Sequence, residues 1–129
     1  AYKYGKITVY GGEQWRPFIH TYDTVRAYQI VLEAPLKLIN GEIFNVGGTH
    51  ENYRIIDIAK IVKEVTPKTE IQILEKIKDQ RSYKVSFEKI RRKLNYELEK
   101  NVKKGIHDIL NKVKQIKDPE SKKYRNYID

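Results

Sequence analysis

The chain has 129 residues, 40% hydrophobic and 33% charged, a composition that suits one globular domain and excludes two full domains or a disordered chain. No apolar run approaches the roughly 20 residues needed to span a bilayer, so a membrane partner is not expected. The absence of cysteine excludes disulfides and thiol metal ligands, and with no secretory signal pattern a cytoplasmic location is the expectation.

The net charge of +9 is uneven: residues 1–50 carry 5 basic and 4 acidic side chains, whereas residues 51–129 carry 21 and 13. Such a basic half raises a non-enzymatic module that binds nucleic acid or protein, because lysine and arginine neutralise phosphates. Here Lys and Glu alternate, and no helix-turn-helix, zinc or RNA-binding pattern accompanies them. A solvated face is therefore expected, with nucleic acid kept only as the alternative.

Ile7-Thr8-Val9-Tyr10 is β-rich and closed by the Gly11-Gly12 turn, and Phe18-Ile19-His20 is a second short strand candidate. Asp23 is placed to cap a helix over 24–34, with Val25, Tyr28 and Leu32 on one stripe and Pro35 at its end. Asn40-Gly41 marks a turn before a strand over 42–46, which Gly47-Gly48 ends. Ile55, Ile58, Ala59 and Val62 fall at i, i+3, i+4 and i+7 and predict an amphipathic helix. Ile71 and Ile73 alternate as a strand. Ser86 can cap a helix over 87–94, with Asn95 suited to the left-handed position after it. Asn101 can cap the last helix, whose stripe is Ile106, Ile109, Leu110 and Val113. The pattern predicts an α/β region over 1–117 and a polar, breaker-rich tail over 118–129, in which Tyr124 and Tyr127 could dock.

His20 reads as a buried, hydrogen-bonded strand residue, His50 as a loop residue and His107 as solvent-facing. No two have metal-ligand spacing, and Glu13, Asp23 and Asp57 form no carboxylate cluster, so no metal is expected.

The segment from Gly12 to Ala27, with Gln14, Arg16, Phe18, Ile19, His20 and Asp23, resembles a signature of the extended short-chain dehydrogenase/reductases that act on nucleotide sugars. Four further runs are similar to that family, in its order. They are Gly41-Glu42-Ile43-Phe44-Asn45-Val46-Gly47, Asn52-Tyr53-Arg54-Ile55, Asp79-Gln80-Arg81-Ser82-Tyr83 continuing to Ile90, and Lys104-Gly105-Ile106. The resemblance implies the C-terminal, substrate-binding part of an NAD(P)-dependent nucleotide-sugar epimerase or dehydratase. In fold it implies a small lobe of short strands and about four helices, plus strands and a helix that complete a Rossmann-type sheet. It also implies three partners: a nucleotide-diphosphate sugar, a Rossmann domain missing here, and a second copy in a homo-oligomer.

Some positions depart from the family pattern. Arg54 stands where the family prefers a Ser or Thr cap, at an expected cost of roughly 1 kcal/mol, and Asn95 replaces glycine. More consequential is what is missing. No Gly-rich strand-to-helix turn is present to cradle a dinucleotide pyrophosphate, and the chain is read as lacking the family's catalytic Tyr-x-x-x-Lys pair, with no tyrosine expected to have a lysine at that spacing. The expectation is no catalytic residue and no NAD or NADP bound by this chain alone, both belonging to the full-length enzyme.

On the substrate side, arginine suits a diphosphate because its planar fork makes paired hydrogen bonds. The resemblance points to Arg16 and Arg81 as phosphate contacts, each against the alternative of an ordinary surface or salt-bridge arginine. Gln14, Asn52 and Tyr83 are candidate polar neighbours, each with a structural alternative. Trp15 can stack on a ring or serve a core or interface. Orphaned strands at Phe18–His20 and 42–46 would leave open edges and apolar faces.

Overall fold

The computed structural model describes residues 1–74 and 81–124. Asp79 and Gln80 of the fourth motif and Tyr127 of the tail lie outside the described residues. Within them the chain is a mixed α/β protein with two two-stranded sheets. Its strands are β1 (Lys6–Tyr10), β2 (Trp15–Pro17), β3 (Asn52–Arg54) and β4 (Glu70–Leu74). Its helices are α1 (Thr21–Glu33), α2 (Leu36–Ile39), α3 (Ile55–Val65), α4 (Glu88–Leu94) and α5 (Val102–Gln115). The short α2 was not anticipated.

β1 runs parallel to β4, with Ile7 opposite Ile71 and Val9 opposite Ile73; α3 packs beside this pair and α5 packs against α3. β2 is antiparallel to β3, with Arg16 opposite Tyr53. A separate core of Ala27, Phe87, Ile90 and Tyr96 lies between α1 and α4, and Ile30, Phe44, Val46, Val85, Leu94 and Leu98 pack against it. Gly47 is required here, since a Cβ would sit 2.7 Å from the Phe87 ring.

The entry to α1 differs from the sequence reading. Phe18–His20 is not a strand: pairing with β3 ends at Pro17, the Phe18 amide donates to the Glu51 carbonyl at 2.9 Å, and the chain turns into α1. His20 is the N-cap, its Nδ1 accepting the Tyr22 amide at 3.0 Å. Asp23 therefore lies inside the helix, fully buried, and caps nothing there. The predicted stripe of Val25, Tyr28 and Leu32 is the outer face, 65%, 70% and 85% exposed, while Asp23 and Ala27 face inward.

The run 42–46 also departs from expectation. Its burial alternates with the period of a strand, Phe44 and Val46 turned toward the core and Ile43 outward. Yet it joins no sheet, and residues 43–47 take part in no backbone–backbone hydrogen bond among the described residues. The period-2 pattern is present without a neighbour to pair with.

The remaining helix ends follow the expected chemistry more closely. α4 begins one residue late, with Phe87 as N-cap and the Ser86 hydroxyl 3.5 Å from the Glu88 amide. Asn95 takes the left-handed conformation at φ 51°. Asn101 caps α5 by accepting the Lys104 amide at 2.8 Å, although Ile109 of the expected stripe stays exposed. The missing cap at Arg54 is replaced by backbone. The Ile55 and Ile56 amides donate to the carbonyls of Gln14 at 3.1 Å and Gly12 at 2.9 Å, so the first orphan donors of α3 are satisfied. Arg54 instead grips Asp57 in the first turn with two bonds of 2.8 and 3.0 Å. In the tail, Glu120 accepts from Lys3 and Tyr4.

Candidate functional site

The site is built from the Gly11-Gly12 turn outward. Both glycines have positive φ, 77° and 112°, and at Gly12 a Cβ would meet the Ile56 Cβ at 3.3 Å. Gln14 locks the turn: its Oε1 accepts the Gly12 amide at 2.8 Å and its Nε2 donates to the Tyr10 carbonyl at 2.8 Å. The chain leaves this turn as β2, which delivers Trp15 and Arg16 to opposite faces.

The run 81–85 lies along the edge of β2 away from β3. The Tyr83 amide donates to the Trp15 carbonyl at 3.3 Å, and the Ser82 hydroxyl accepts the Trp15 amide at 3.1 Å. Asn52 fastens the far end of this run by mimicking a strand partner. Its Oδ1 accepts the Val85 amide at 2.9 Å, and its Nδ2 donates to the carbonyls of Val85 at 3.0 Å and Thr49 at 2.9 Å.

These bonds bring three of the five sequence-predicted residues together. The Arg16 guanidinium lies 5.0 Å from the centre of the Tyr83 ring. Its Nη1 donates to the Trp15 carbonyl at 2.7 Å and to the Arg81 carbonyl. Arg81 and Tyr83 are exposed, and Arg16 is half-buried. On the other face, the Lys84 ammonium stands 3.6 Å over the Trp15 ring, so this ring already carries a cation on one side. Gln14 and Asn52 belong to the scaffold, because their amides hold backbone.

Two buried carboxylates set the neighbouring loops, and the sequence carried no signal for their roles. Asp23 accepts the amides of Glu99 and Lys100, each at 3.0 Å, and the Arg26 guanidinium at 3.0 Å. Glu51 accepts the Val102 amide at 2.9 Å and the Tyr53 hydroxyl at 3.3 Å. Burial, with Glu51 beside it, raises the Tyr53 hydroxyl above its ordinary pKa. Together they fix the segment 99–102 that opens α5.

The Tyr-x-x-x-Lys spacing does occur in this sequence, at Tyr2–Lys6 and at Tyr96–Lys100, contrary to the reading that no such pair is present. That spacing apposes two side chains only on a helix, and neither pair lies on one. Tyr96 donates its hydroxyl to the Asp23 carbonyl at 2.9 Å, and burial pushes its pKa up to about 12. Lys100 is engaged by Asp108 at 2.8 Å. Tyr96 therefore lacks the environment of a base at neutral pH.

Among the described residues no group of three His, Asp or Glu side chains is placed to hold a metal ion. No described helix is long and apolar enough to cross a membrane. Among the described residues several basic side chains meet carboxylates: Lys89 and Lys93 with Glu42, Arg91 with Glu88, Lys103 with Glu64, Lys100 and Lys104 with Asp108.

A half-buried guanidinium against an exposed tyrosine ring is an arrangement that can meet an anion, but by itself it offers no nucleophile or base. Comparison with known proteins gives this arrangement a context. Residues 1–47 match the model of the NAD dependent epimerase/dehydratase family. The family resemblance read from the motifs is borne out over that segment, which contains Gln14, Arg16 and His20.

Solved structures share the fold. An L-threonine dehydrogenase from Phytophthora infestans aligns with TM-score 0.75 at 16% identity, over 88% of this chain and 38% of its own. UDP-glucuronic acid 4-epimerase from Bacillus cereus, in complex with UDP-glucuronic acid and NAD, aligns with TM-score 0.70 at 24% identity, over 85% and 35%. RMD from Pseudomonas aeruginosa, complexed with NADPH, aligns with TM-score 0.66 at 19% identity, over 84% and 36%. The chain thus spans under two-fifths of the length of each of these structures. No curated protein matches the sequence.

Proposed function

We propose that this chain is the substrate-binding part of an NAD(P)-dependent nucleotide-sugar epimerase or dehydratase of the cytoplasm, with Arg16 and Arg81 gripping the diphosphate. The observation that supports this most is the Arg16 guanidinium against the Tyr83 ring and bonded to the Arg81 backbone carbonyl, on β2 and the run 81–85 inside a motif that resembles the family's. The aromatic face beside Arg16 orients the planar fork that paired phosphate contacts need. Catalytic and cofactor motifs then lie upstream of these residues, and the cofactor is NAD or NADP.

A second reading has its own support. L-threonine dehydrogenases are among the proteins that share this fold, so fold alone does not separate a nucleotide sugar from a small amino acid. Arg16 on β2 and Arg81 on the run beside it supply two cations, which favours the more highly charged ligand.

Titration of the 129-residue chain with UDP, dTDP, L-threonine and NAD tests the choice. The expected outcome is weak, salt-sensitive UDP or dTDP affinity, with none for NAD or L-threonine. In an enzyme carrying this segment, Arg16→Ala should weaken the nucleotide sugar by roughly 1.5–3 kcal/mol and the cofactor little. Arg16→Lys should recover only part, because a point charge lacks the fork. Equal losses for substrate and cofactor would mean damage to the fold and would defeat the assignment.

A further inference from the structure

His20 joins two helices through the two sides of one imidazole ring. On one side it caps α1: Nδ1 accepts the Tyr22 amide at 3.0 Å, so this nitrogen offers a lone pair and the ring proton sits on Nε2. On the other side Nε2 faces the Asp108 carboxylate of α5 at 3.7 Å, beyond hydrogen-bond reach. The ring is 20% exposed and packs on α5 at Gly105, where a Cβ would come within 3.2 Å of its Cδ2. The usual N-cap residues are Ser, Thr, Asn and Asp, none of which changes as an acceptor between pH 5 and 8; imidazole does. The charges around the ring come from three elements. On α5, Asp108 is also held by Lys100 at 2.8 Å and Lys104 at 3.5 Å, and Lys112 stands on the same rim. In α1, Asp23 is buried and turned to the amides of Glu99 and Lys100 and to Arg26. Before α5, the Lys100 ammonium lies 5.2 Å from the centre of the Tyr22 ring and Glu99 accepts the Tyr22 hydroxyl. α3 brings only the apolar Ile58 to this place.

We propose that His20 is a pH-sensitive latch between α1 and α5: the neutral ring caps α1, and the protonated ring releases the Tyr22 amide and turns to Asp108. Protonation puts an N–H on Nδ1, and two donors cannot share one bond, so the Tyr22 amide loses its acceptor. The added charge also stands at the positive end of the α1 dipole, which opposes it. Asp108 pulls the other way, and closing the 3.7 Å gap to its carboxylate draws the ring off the helix start. Proton uptake thus exchanges one contact for another. The His20 carbonyl still accepts the Thr24 amide at 3.1 Å, so α1 persists and only its first turn responds. His20 ends the segment that leads from β2 into α1, and the latch therefore sets how firmly that segment is held. None of this depends on what Arg16 binds, so the latch and the substrate assignment stand or fall separately.

Nuclear magnetic resonance of the 129-residue chain between about pH 8 and pH 5 is the test, the range in which imidazole changes charge. His50 and His107 are the other two histidines and serve as internal references. At the alkaline end the His20 ring should show the Nε2–H form. Tyr22 amide exchange, corrected for its intrinsic pH dependence, should rise about 3- to 10-fold in step with protonation of that ring. Nuclear Overhauser contacts from the ring to α5 should strengthen over the same step. His20→Asn keeps a cap that does not titrate, so its Tyr22 exchange should stay level. Asp108→Asn removes the anion and leaves the cap, so Tyr22 should still respond while the strengthening toward α5 is lost. An Nδ1–H ring at the alkaline end, or a Tyr22 amide indifferent to ring protonation, would overturn the proposal. So would the same Tyr22 step in His20→Asn, or a movement toward α5 that survives Asp108→Asn.

Discussion

The surroundings of Arg16 and the run 22–46 are opposite solutions to the same problem of covering backbone and apolar surface. Around Arg16, the side-chain amides of Gln14 and Asn52, the Ser82 hydroxyl and the carbonyls of Gly12 and Gln14 each answer a backbone group of another segment. Along 22–46 the inner side is equally well closed, with Asp23 and Tyr96 buried and partnered. The outer side is not: Leu32 and Ile43 are 85% and 82% exposed, and 43–47 lacks backbone partners among the described residues. The first region is complete within this chain as a scaffold for two arginines. The second is half of a layer.

The largest effect should come from the closed side of α1. Asp23 is wholly buried, and Asp23→Ala strands the amides of Glu99 and Lys100 and leaves the Arg26 guanidinium only Glu99 and the Glu97 carbonyl. Removing one partner from a buried charged network costs about 3–5 kcal/mol, a large part of the stability of a small domain. Urea unfolding of this variant against the parent chain measures it. A loss below about 1 kcal/mol would mean that water replaces the carboxylate and that the inner face is not closed as described.

A smaller loss should follow Asn52→Ala. The substitution leaves the Val85 amide and carbonyl without their side-chain partner, at roughly 1–3 kcal/mol. It should also loosen the run 81–85 that brings Tyr83 to Arg16. The single tryptophan is a convenient reporter, since Trp15 carries both the backbone bond to Tyr83 and the Lys84 contact. Its emission should change in Asn52→Ala and stay constant in Leu32→Glu, which separates the two regions in one spectrum. An unchanged emission in Asn52→Ala would show that 81–85 is held by something other than this amide.

The contrast also explains what the sequence could and could not disclose. Turn and cap chemistry is local, so Gly11-Gly12, Asn95 and Asn101 were legible one by one. The motif run carried Arg16, Tyr83 and Arg81 to one place, because a family pattern encodes spacing that only the fold explains. Partnership across the chain was not legible. Asp23 looks like a cap in any window of sequence, and only α4 and α5, far along the chain, bring the amides of 99 and 100 to it. Likewise Val25, Tyr28 and Leu32 form a sound amphipathic stripe, but periodicity reports that a face is apolar and not what covers it. The spacing of Tyr96 and Lys100 gives the converse lesson, since the right interval off a helix brings nothing together.

The smallest effect concerns Glu42, where the open run joins α4. Lys89 and Lys93 both bond its carboxylate and hold its pKa down to about 2 from the ordinary 4.5. A depressed carboxylate favours the folded state wherever it is ionised, so its contribution is fully present above about pH 4.5 and fades as the pH falls toward 2. The pair is on the surface and screened by solvent and salt, so the difference between the parent chain and Glu42→Gln should be slight at neutral pH and shrink further in high salt. The carboxylates of Asp57, Glu88 and Asp108 are also held below their usual range by Arg54, Arg91 and Lys100, so the whole acid limb slopes the same way. Only the difference between the two proteins isolates Glu42. That difference should be flat above pH 5 and vanish near pH 2. A difference that persists at pH 2 would mean that Glu42 steadies the run 42–46 through packing of its stem rather than through its charge.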